Sequence, residues 1–92
     1  MGHKSRALEC YRQGYFYDKA IKLAKVSFPN EVVALEEEWG DYLVSCRQMD
    51  AAANHYIEAG CLVKGLDAAL ESRQWKKALH IIEVKILHDT NK

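Results

Sequence analysis

The chain contains 92 residues, 49% of them hydrophobic, and its thirteen basic side chains are balanced by thirteen acidic ones. This length suits one small domain or a section of a longer array. A formal net charge of zero argues against nucleic acid as the main partner, because phosphate binding needs a basic excess or a basic stripe. It also gives no general attraction to anionic lipid.

The sequence contains no segment that predicts membrane insertion or secretion. No apolar run approaches the roughly 18–20 residues that span a bilayer, and the N-terminal residues lack the apolar core of a signal peptide. The three cysteines, Cys10, Cys46 and Cys61, are odd in number and widely spaced, which does not fit a disulfide framework. We expect buried or half-buried free thiols in a reducing compartment such as the cytosol.

Hydrophobic periodicity and turn residues predict six helices. Gly14 and Gly60 are expected to end helices as left-handed residues. Pro29 is expected to stop the second helix near Ser27, and Asn30 is a suitable N-cap for the third. Strand signals are weak, because no alternation of period two is sustained. The predicted helices span about residues 4–13, 17–27, 31–46, 50–59, 62–72 and 74–87.

The third predicted helix has an apolar face and an acidic face. Its apolar residues advance by three and four positions, as one buried helix face requires. Glu36, Glu37, Glu38 and Asp41 fill the other face. Consecutive side chains on a helix point about 100° apart, so the three glutamates do not converge on one metal ion. We expect a solvated face, with an acidic patch for a partner as the functional alternative.

Three alanines recur at a spacing typical of stacked helical hairpins. Ala20, Ala52 and Ala78 are separated by 32 and then 26 residues, and a second apolar residue (Ala24, Tyr56 or Ile82) lies four positions beyond each. Placing Ala52 on the alanine of the tetratricopeptide template puts Tyr56 on its aromatic position and Gly40 on its glycine. The small residues would let two helices approach closely. The predicted packing residues of the repeats are Trp39, Gly40, Leu43, Ala52, Tyr56, Ala59, Trp75 and Ala78.

Short connections of two to four residues would make successive helices antiparallel. The sequence therefore predicts an all-α fold of antiparallel helical hairpins, stacked as a tetratricopeptide-like α-solenoid fragment. The chain is expected to form a single unit, with hairpins at about residues 4–27, 31–59 and 62–87.

No group of residues predicts catalysis, a metal site or a cofactor. The histidines and cysteines lack metal-ligand spacing, no nucleophile–base set is recognisable, and no glycine-rich phosphate loop is present. Trp75 is the better interaction candidate of the two tryptophans, because it opens a helix beside two lysines. The candidate partner-binding residues are Glu36, Glu37, Asp41, Arg73, Lys76 and Lys77.

Several segments carry a family resemblance. Residues 8–15 read LECYRQGY, residues 28–44 read FPNEVVALEEEWGDYLV, residues 49–59 read MDAAANHYIEA, and residues 68–78 read AALESRQWKKA. Together they resemble the helical-repeat tail of the intraflagellar transport protein 172 family, over about residues 7–84. The motif LEEEWGD at residues 35–41 is fairly specific for that family.

This resemblance implies a section of a much longer protein, in which N-terminal β-propellers precede a long α-solenoid. It implies a scaffold in the intraflagellar transport B complex that supports cilium assembly and transport. The implied location is the cytoplasm and the cilium, including the axoneme and basal body. The expected partners are other intraflagellar transport subunits or adaptor proteins, adjacent repeats, and a second copy of the chain. Neither nucleic acid nor a membrane is expected as a partner, and no enzymatic activity is expected.

The residues leave one other binding function open. A tetratricopeptide adaptor would bind a short linear peptide in a groove lined by the first helix of each hairpin. The segment from Glu38 to Ser45 would then line the groove.

Overall fold

The computed structural model describes the backbone of residues 2–90 and the side chains of residues 2–87. Each α-helix packs against the next one along the chain, and the described residues form no strand. The prediction of an all-α helical-repeat fold is confirmed, and helix ends differ from the predicted ones by at most three residues. The elements are α1 (Gly2–Gln13), α2 (Tyr17–Ser27), a 3₁₀ helix (Pro29–Glu31), α3 (Val32–Ser45), α4 (Met49–Glu58), α5 (Leu62–Glu71) and α6 (Trp75–Thr90).

Four of the five turns between α-helices close in the same way. In the turn between α3 and α4, the amide of Gln48 donates a hydrogen bond to the carbonyl of Leu43 at 2.9 Å. This bond to a carbonyl five residues back, across a left-handed residue, is the Schellman motif. The other three turns contain the same bond. The left-handed residues are Tyr15, Arg47, Gly60 and Arg73, with φ angles of 63°, 63°, 78° and 59°.

The predicted role of Gly60 is therefore confirmed, whereas that of Gly14 is wrong. Tyr15 adopts the left-handed conformation after α1. Gly14 serves the turn in another way, because a Cβ atom there would lie 2.8 Å from Cε2 of Phe16. Glycine is therefore needed at position 14 because the Phe16 ring packs closely against it, and not because the backbone has a positive φ angle.

A small buried residue follows each of these turns at the same place. The amide of Ala52 donates to the carbonyl of Gln48, the residue that precedes α4, at 3.0 Å. Ala20, Gly65 and Ala78 donate in the same way to the residues that precede their own helices. All four small residues are buried. The recurring alanines thus occupy one position of a structural repeat. Gly65 occupies the same position in α5, which the alanine pattern in the sequence did not reveal.

The connection between α2 and α3 differs from the others. Phe28 ends α2 with its amide bonded to the carbonyl of Ala24 at 2.8 Å, and Pro29 then begins the 3₁₀ turn. The stop near Ser27 is confirmed. Asn30 lies inside the 3₁₀ turn, so its predicted role as N-cap of α3 is wrong; Glu31 holds that place without a side-chain cap.

Two clusters of buried apolar residues form the core. Trp39 is half-buried and is the one described residue that packs against both. The first cluster, in α1 to α3, contains Leu8, Ala20, Ile21, Ala24 and Leu35. The second, in α3 to α6, contains Leu43, Ala52, Ala53, Tyr56, Ala68, Ala69, Ala78 and Ile81.

The array is elongated and thin. Its radius of gyration is 14.7 Å, larger than the ~12 Å expected of a compact domain of this length. The Cα atoms extend over 44 × 33 × 13 Å. Such a stack buries each hairpin against its neighbours and leaves the outer faces of its two end hairpins to solvent or to other partners.

Candidate interaction surfaces

Glu38 joins α3 to the first hairpin. Its carboxylate accepts hydrogen bonds from Nη2 and Nε of Arg12, at 2.7 and 3.3 Å, and from the hydroxyl of Tyr17 at 2.9 Å. Two-point contact between a guanidinium and a carboxylate is among the stronger ion-pair geometries. The bond to Glu38 raises the pKa of Arg12, while burial and the bond to the same carboxylate raise the pKa of Tyr17 to about 12.

Glu37 and Asp41 join α3 to the later helices. The ammonium of Lys64 in α5 donates to Glu37 at 2.6 Å and to Asp41 at 3.3 Å, and the hydroxyl of Tyr56 in α4 donates to Asp41 at 2.5 Å. The hydrogen bond to Glu37 raises the pKa of Lys64, and burial followed by the bond to Asp41 raises the pKa of Tyr56. The two carboxylates therefore connect α3 to both helices that follow it.

Glu36 contacts α4 through His55. Nδ1 of His55 lies 3.4 Å from Oε1 of Glu36, and the imidazole stacks on Trp39 with 3.9 Å between ring centroids. That nitrogen is buried and makes no hydrogen bond with the described residues. The stacked ring therefore stands beside a carboxylate that could pair with it when the imidazole is protonated.

The prediction of a solvated face is therefore correct only in part: Asp41 is exposed, whereas Glu36, Glu37 and Glu38 are half-buried and each contacts another helix. Successive helical positions turn by about 100°, which directs Glu36, Glu37 and Glu38 toward α4, α5 and the first hairpin respectively. Sequence spacing correctly indicated that these residues diverge. The spacing could not show which helices these glutamates contact, because the partner residues Arg12, His55 and Lys64 are far away in the sequence.

Seven of the eight predicted packing residues are buried or half-buried. Gly40, Leu43, Ala52, Tyr56 and Ala78 are buried, while Trp39 and Ala59 are half-buried. Trp75 is 62% exposed, so the structure contradicts its prediction as a packing residue. It opens α6 on the side facing away from the core. Ile82 is likewise 38% exposed, and the neighbouring Ile81 fills the core instead.

A stack of aromatic rings was not predicted from the sequence. Tyr15 and Tyr42 lie nearly parallel, with ring centroids 4.6 Å apart and planes 8° apart. Tyr17 lies 5.9 Å from Tyr42 and 6.2 Å from Trp39, measured between centroids. The left-handed conformation of Tyr15 places its ring on α3, and no local sequence signal reveals that conformation in a residue other than glycine.

The thiols differ from prediction at two of three positions. Cys10 and Cys46 are exposed, whereas Cys61 is half-buried as expected. All three are free, and burial raises the pKa of Cys61. Cys10 lies in α1 and Cys46 lies in the turn that ends α3, and at both exposed positions the bias of free cysteine toward burial has no core to act on.

The basic candidates lie near the start of α6. Arg73 and Lys76 are exposed and flank the exposed indole of Trp75. Lys77 is half-buried and donates to Oδ1 of Asn54 in α4 at 2.7 Å. Arg73, Trp75 and Lys76 are thus three exposed residues close together in sequence, and Lys77 helps attach α6 to α4.

Within the part of the chain that the structure describes, no three His, Cys, Asp or Glu side chains cluster so as to hold a metal ion. None of the described helices combines the length and apolar character needed to cross a membrane.

The chain is similar to curated proteins from distant eukaryotes. "Intraflagellar transport protein 172 homolog" of Danio rerio is 63% identical over 83 residues, or 90% of this chain, and the human protein of that name is 58% identical over 80 residues, or 87%. "Intraflagellar transport protein 172" of Chlamydomonas reinhardtii is 54% identical over 84 residues, or 91% of this chain. No protein-family model matches. The chain spans about 5% of the length of each of these relatives. At this identity over nearly all of its residues, the chain belongs to the intraflagellar transport protein 172 family.

Proposed function

We propose that the chain is a scaffold and protein-interaction segment of a subunit of the intraflagellar transport B complex, supporting cilium assembly and transport. The observation that carries this proposal is the 54–63% identity to intraflagellar transport proteins over about nine-tenths of the chain. Stacked helical hairpins suit such a role, because each one offers a face to its neighbour and a broad surface to partners. We also propose that the segment has no catalytic activity of its own.

The outer face of α6 supports an association role. Trp75, Leu79 and Ile82 follow one another by four and three positions and are 62%, 56% and 38% exposed. Such a stripe is one helix face, and apolar surface gains about 25 cal/mol per Å² when it leaves water. For the 92-residue chain alone, we propose that a second copy covers this face.

The patch of Arg73, Trp75 and Lys76 is the proposed contact with another transport subunit or an adaptor protein. Exposed tryptophan and arginine are the residues that most often anchor protein interfaces. The two cationic side chains favour an acidic surface on that partner. Lys77, with its bond to Asn54, would contribute by holding α6 in place.

Glu36, Glu37 and Asp41 are proposed to support partner binding indirectly. Each already contacts another helix of the chain, so a partner would have to compete with His55 or Lys64 for them. Their contribution would be to fix the relative placement of the hairpins.

A peptide-binding tetratricopeptide adaptor is the second candidate, and the same contacts weigh against it. The groove of such an adaptor would use polar side chains of α1, α3 and α5. Glu38 is engaged by Arg12, and Asp41 by Lys64. Tyr42 is covered by Tyr15. These contacts leave few free polar groups for a peptide along the first helices.

The proposed location is the cytoplasm and the cilium, including the axoneme and basal body. Capture from extracts of ciliated cells tests the proposal, with the tagged chain as bait and immunoblots for intraflagellar transport subunits. We expect capture by the unaltered chain, reduced capture by a Trp75→Ala, Lys76→Glu double variant, and unchanged capture by Val26→Ala. Val26 is a suitable control because its side chain is 82% exposed and lies far from the patch in sequence.

Failure of the unaltered chain to capture any transport subunit would count against the scaffold proposal. Equal capture by the unaltered chain and the double variant would show that the partner binds elsewhere than at Trp75 and Lys76. A variant with Glu36, Glu37 and Glu38 reversed to lysine is expected to lose capture together with thermal stability, since these carboxylates hold the hairpins together.

A further inference from the structure

A groove of about 490 Å³ lies between α1 and α2, on the first hairpin. Ala7, Tyr11 and Leu23 form its floor, and all three are half-buried. Tyr11 and Leu23 also pack against the first core cluster. Tyr11 and Leu23 are therefore held in place by the core.

Helical spacing explains the shape of the groove. Residues 3, 7 and 11 are four apart on α1, and residues 19 and 23 are four apart on α2, so each set lies along one helix face. Eight residues of α1 correspond to a length of about 12 Å. A length of that size accommodates about two turns of a docked helix.

The rim of the groove is cationic. Lys4, Lys19 and Lys22 are exposed, and none forms an ion pair with the described residues. No carboxylate lines the groove. Lys19 does lie over the ring of Phe16, with 5.6 Å from Nζ to the centroid. The lysines therefore retain most of their capacity to pair with an incoming anion.

The charge around the groove is part of a wider segregation within a neutral chain. Residues 1–30 contain six basic and two acidic side chains, whereas residues 31–60 contain seven acidic and one basic. The acidic groups of α3 are largely paired inside the molecule. The first hairpin is left with an uncompensated positive surface that the net charge of the chain conceals.

We propose that this groove binds an acidic amphipathic helix of a partner protein. Apolar side chains of that helix, spaced three and four residues apart, would cover Tyr11 and Leu23. Its flanking Asp or Glu side chains would pair with Lys4, Lys19 and Lys22. The proposal rests on the scaffold function proposed above, and it adds a chemical class of partner and a surface distinct from the α6 patch.

The dimensions of the groove favour a helix over an anionic membrane. A membrane surface is broad and would engage lysines spread over one face, whereas the apolar residues here lie between two helices with the lysines beside them. A helix can enter such a recess with its apolar stripe, as helix-in-groove complexes do.

Direct binding in solution tests the proposal without cilia or transport subunits. The probe is a fluorescein-labelled synthetic helix with leucines on one face and glutamates flanking them, titrated with the 92-residue chain and followed by fluorescence anisotropy. A peptide with lysine in place of every glutamate is the probe control. The test variant is Lys19→Glu, Lys22→Glu, both in α2. The control is Arg6→Glu in α1 with Lys25→Glu in α2, which changes the net charge equally on the two helices that form the groove but at residues that do not line it.

We expect the acidic helix to bind, with weaker binding at higher salt. The test variant should weaken it by about tenfold or more, and the matched control by much less. The lysine peptide should not bind. Thermal melts of both variants, followed by circular dichroism, establish that they remain folded.

Three outcomes would overturn the proposal. The acidic helix could fail to bind, both double variants could weaken it equally, or vesicles rich in phosphatidylserine could bind with the same dependence on Lys19 and Lys22 while the peptide does not. Each of these leaves the scaffold proposal intact, because capture of transport subunits is measured separately and through α6.

Discussion

A Cβ atom on Gly40 would lie 2.7 Å from Cε1 of Tyr56, closer than such atoms can approach. The ring cannot easily move away, because Tyr56 is buried and its hydroxyl is bonded to Asp41 at 2.5 Å. At this point α3 and α4 lie so close together that only a residue without a side chain fits in α3. It explains the glycine of the repeat pattern more directly than helix propensity does.

We therefore expect Gly40→Ala to lower the free energy of unfolding by about 1–2 kcal/mol. Overpacking costs about 1–3 kcal/mol, which outweighs the roughly 0.5–1 kcal/mol that alanine gains over glycine within a helix. Urea denaturation followed by circular dichroism measures the change. Gly65→Ala is the matched control, since its Cβ would meet Ile57 at an ordinary 3.4 Å. That variant should be neutral or more stable, and a loss as large as that of Gly40→Ala would contradict the packing argument.

The left-handed residues of the turns provide a second prediction. Arg47→Gly should stabilise the chain by about 0.5–1 kcal/mol, because glycine adopts a positive φ angle without the Cβ clash that arginine has there. Among the described residues, the Arg47 side chain forms no hydrogen bond or ion pair that the change would remove. Chemical denaturation of Arg47→Gly beside Gly60→Ala gives the comparison. Gly60 has φ of +78° and open space around its Cβ position, so alanine there should destabilise for the conformational reason alone.

The hydrogen bond from Tyr17 to Glu38 predicts a dependence of stability on high pH. The pKa of Tyr17 is raised from 10.0 to about 12 in the folded chain, so its contribution is complete below pH 10 and is lost as pH rises toward 12. Tyr17→Phe should lower stability by about 1 kcal/mol near neutral pH. Thermal melts of both proteins across this range measure the difference. A stability gap that stays constant from pH 9 to 12 would contradict the link between the raised pKa of Tyr17 and stability.

Exposure of the thiols predicts their reactivity. Cys10 and Cys46 are exposed, whereas Cys61 is half-buried and its pKa is raised by burial. Because the thiolate is the reactive form, iodoacetamide at neutral pH should modify the first two faster than Cys61. Mass spectrometry of peptides from timed samples gives the three rates. Unfolding in urea should make the rates similar, and equal rates in the folded chain would contradict the burial of Cys61.

The exposed face of α6 predicts self-association of the chain. Sedimentation equilibrium should show an apparent mass that rises with concentration, and Trp75→Ala with Leu79→Glu should return it toward that of a monomer. Val26→Glu introduces a similar charge at another exposed apolar position and should have little effect. A constant monomer mass for the unaltered chain would show that the α6 face needs a partner other than a second copy.

The sequence was sufficient for the helices, because periodic apolar residues, Pro29 and the recurring alanines are local signals. The interactions of α3 could not be predicted in the same way. Arg12 and Glu38 are 26 residues apart, and nothing near either residue indicates the other. Gly65, the small residue of α5 that matches Ala20, Ala52 and Ala78, was also missed, because the recurring pattern was sought among alanines.

Trp75 illustrates the limit of periodicity. A helical period identifies which residues share a face, but two faces of α6 are apolar and only one, with Ala78 and Ile81, meets α5. Which apolar face enters the core depends on the direction from which the neighbouring helix approaches. That direction depends on the turn at Arg73, and the left-handed conformation of this residue cannot be predicted from the sequence.

The division of the core into two clusters, with Trp39 between them, affects how the array deforms under load. Tightly packed interiors resist compression, whereas ion pairs such as Arg12 with Glu38 can re-form after small shifts. Elastic compliance should therefore concentrate at α3, where the first hairpin meets the rest. Such a joint would let the helical array change curvature while each cluster stays intact.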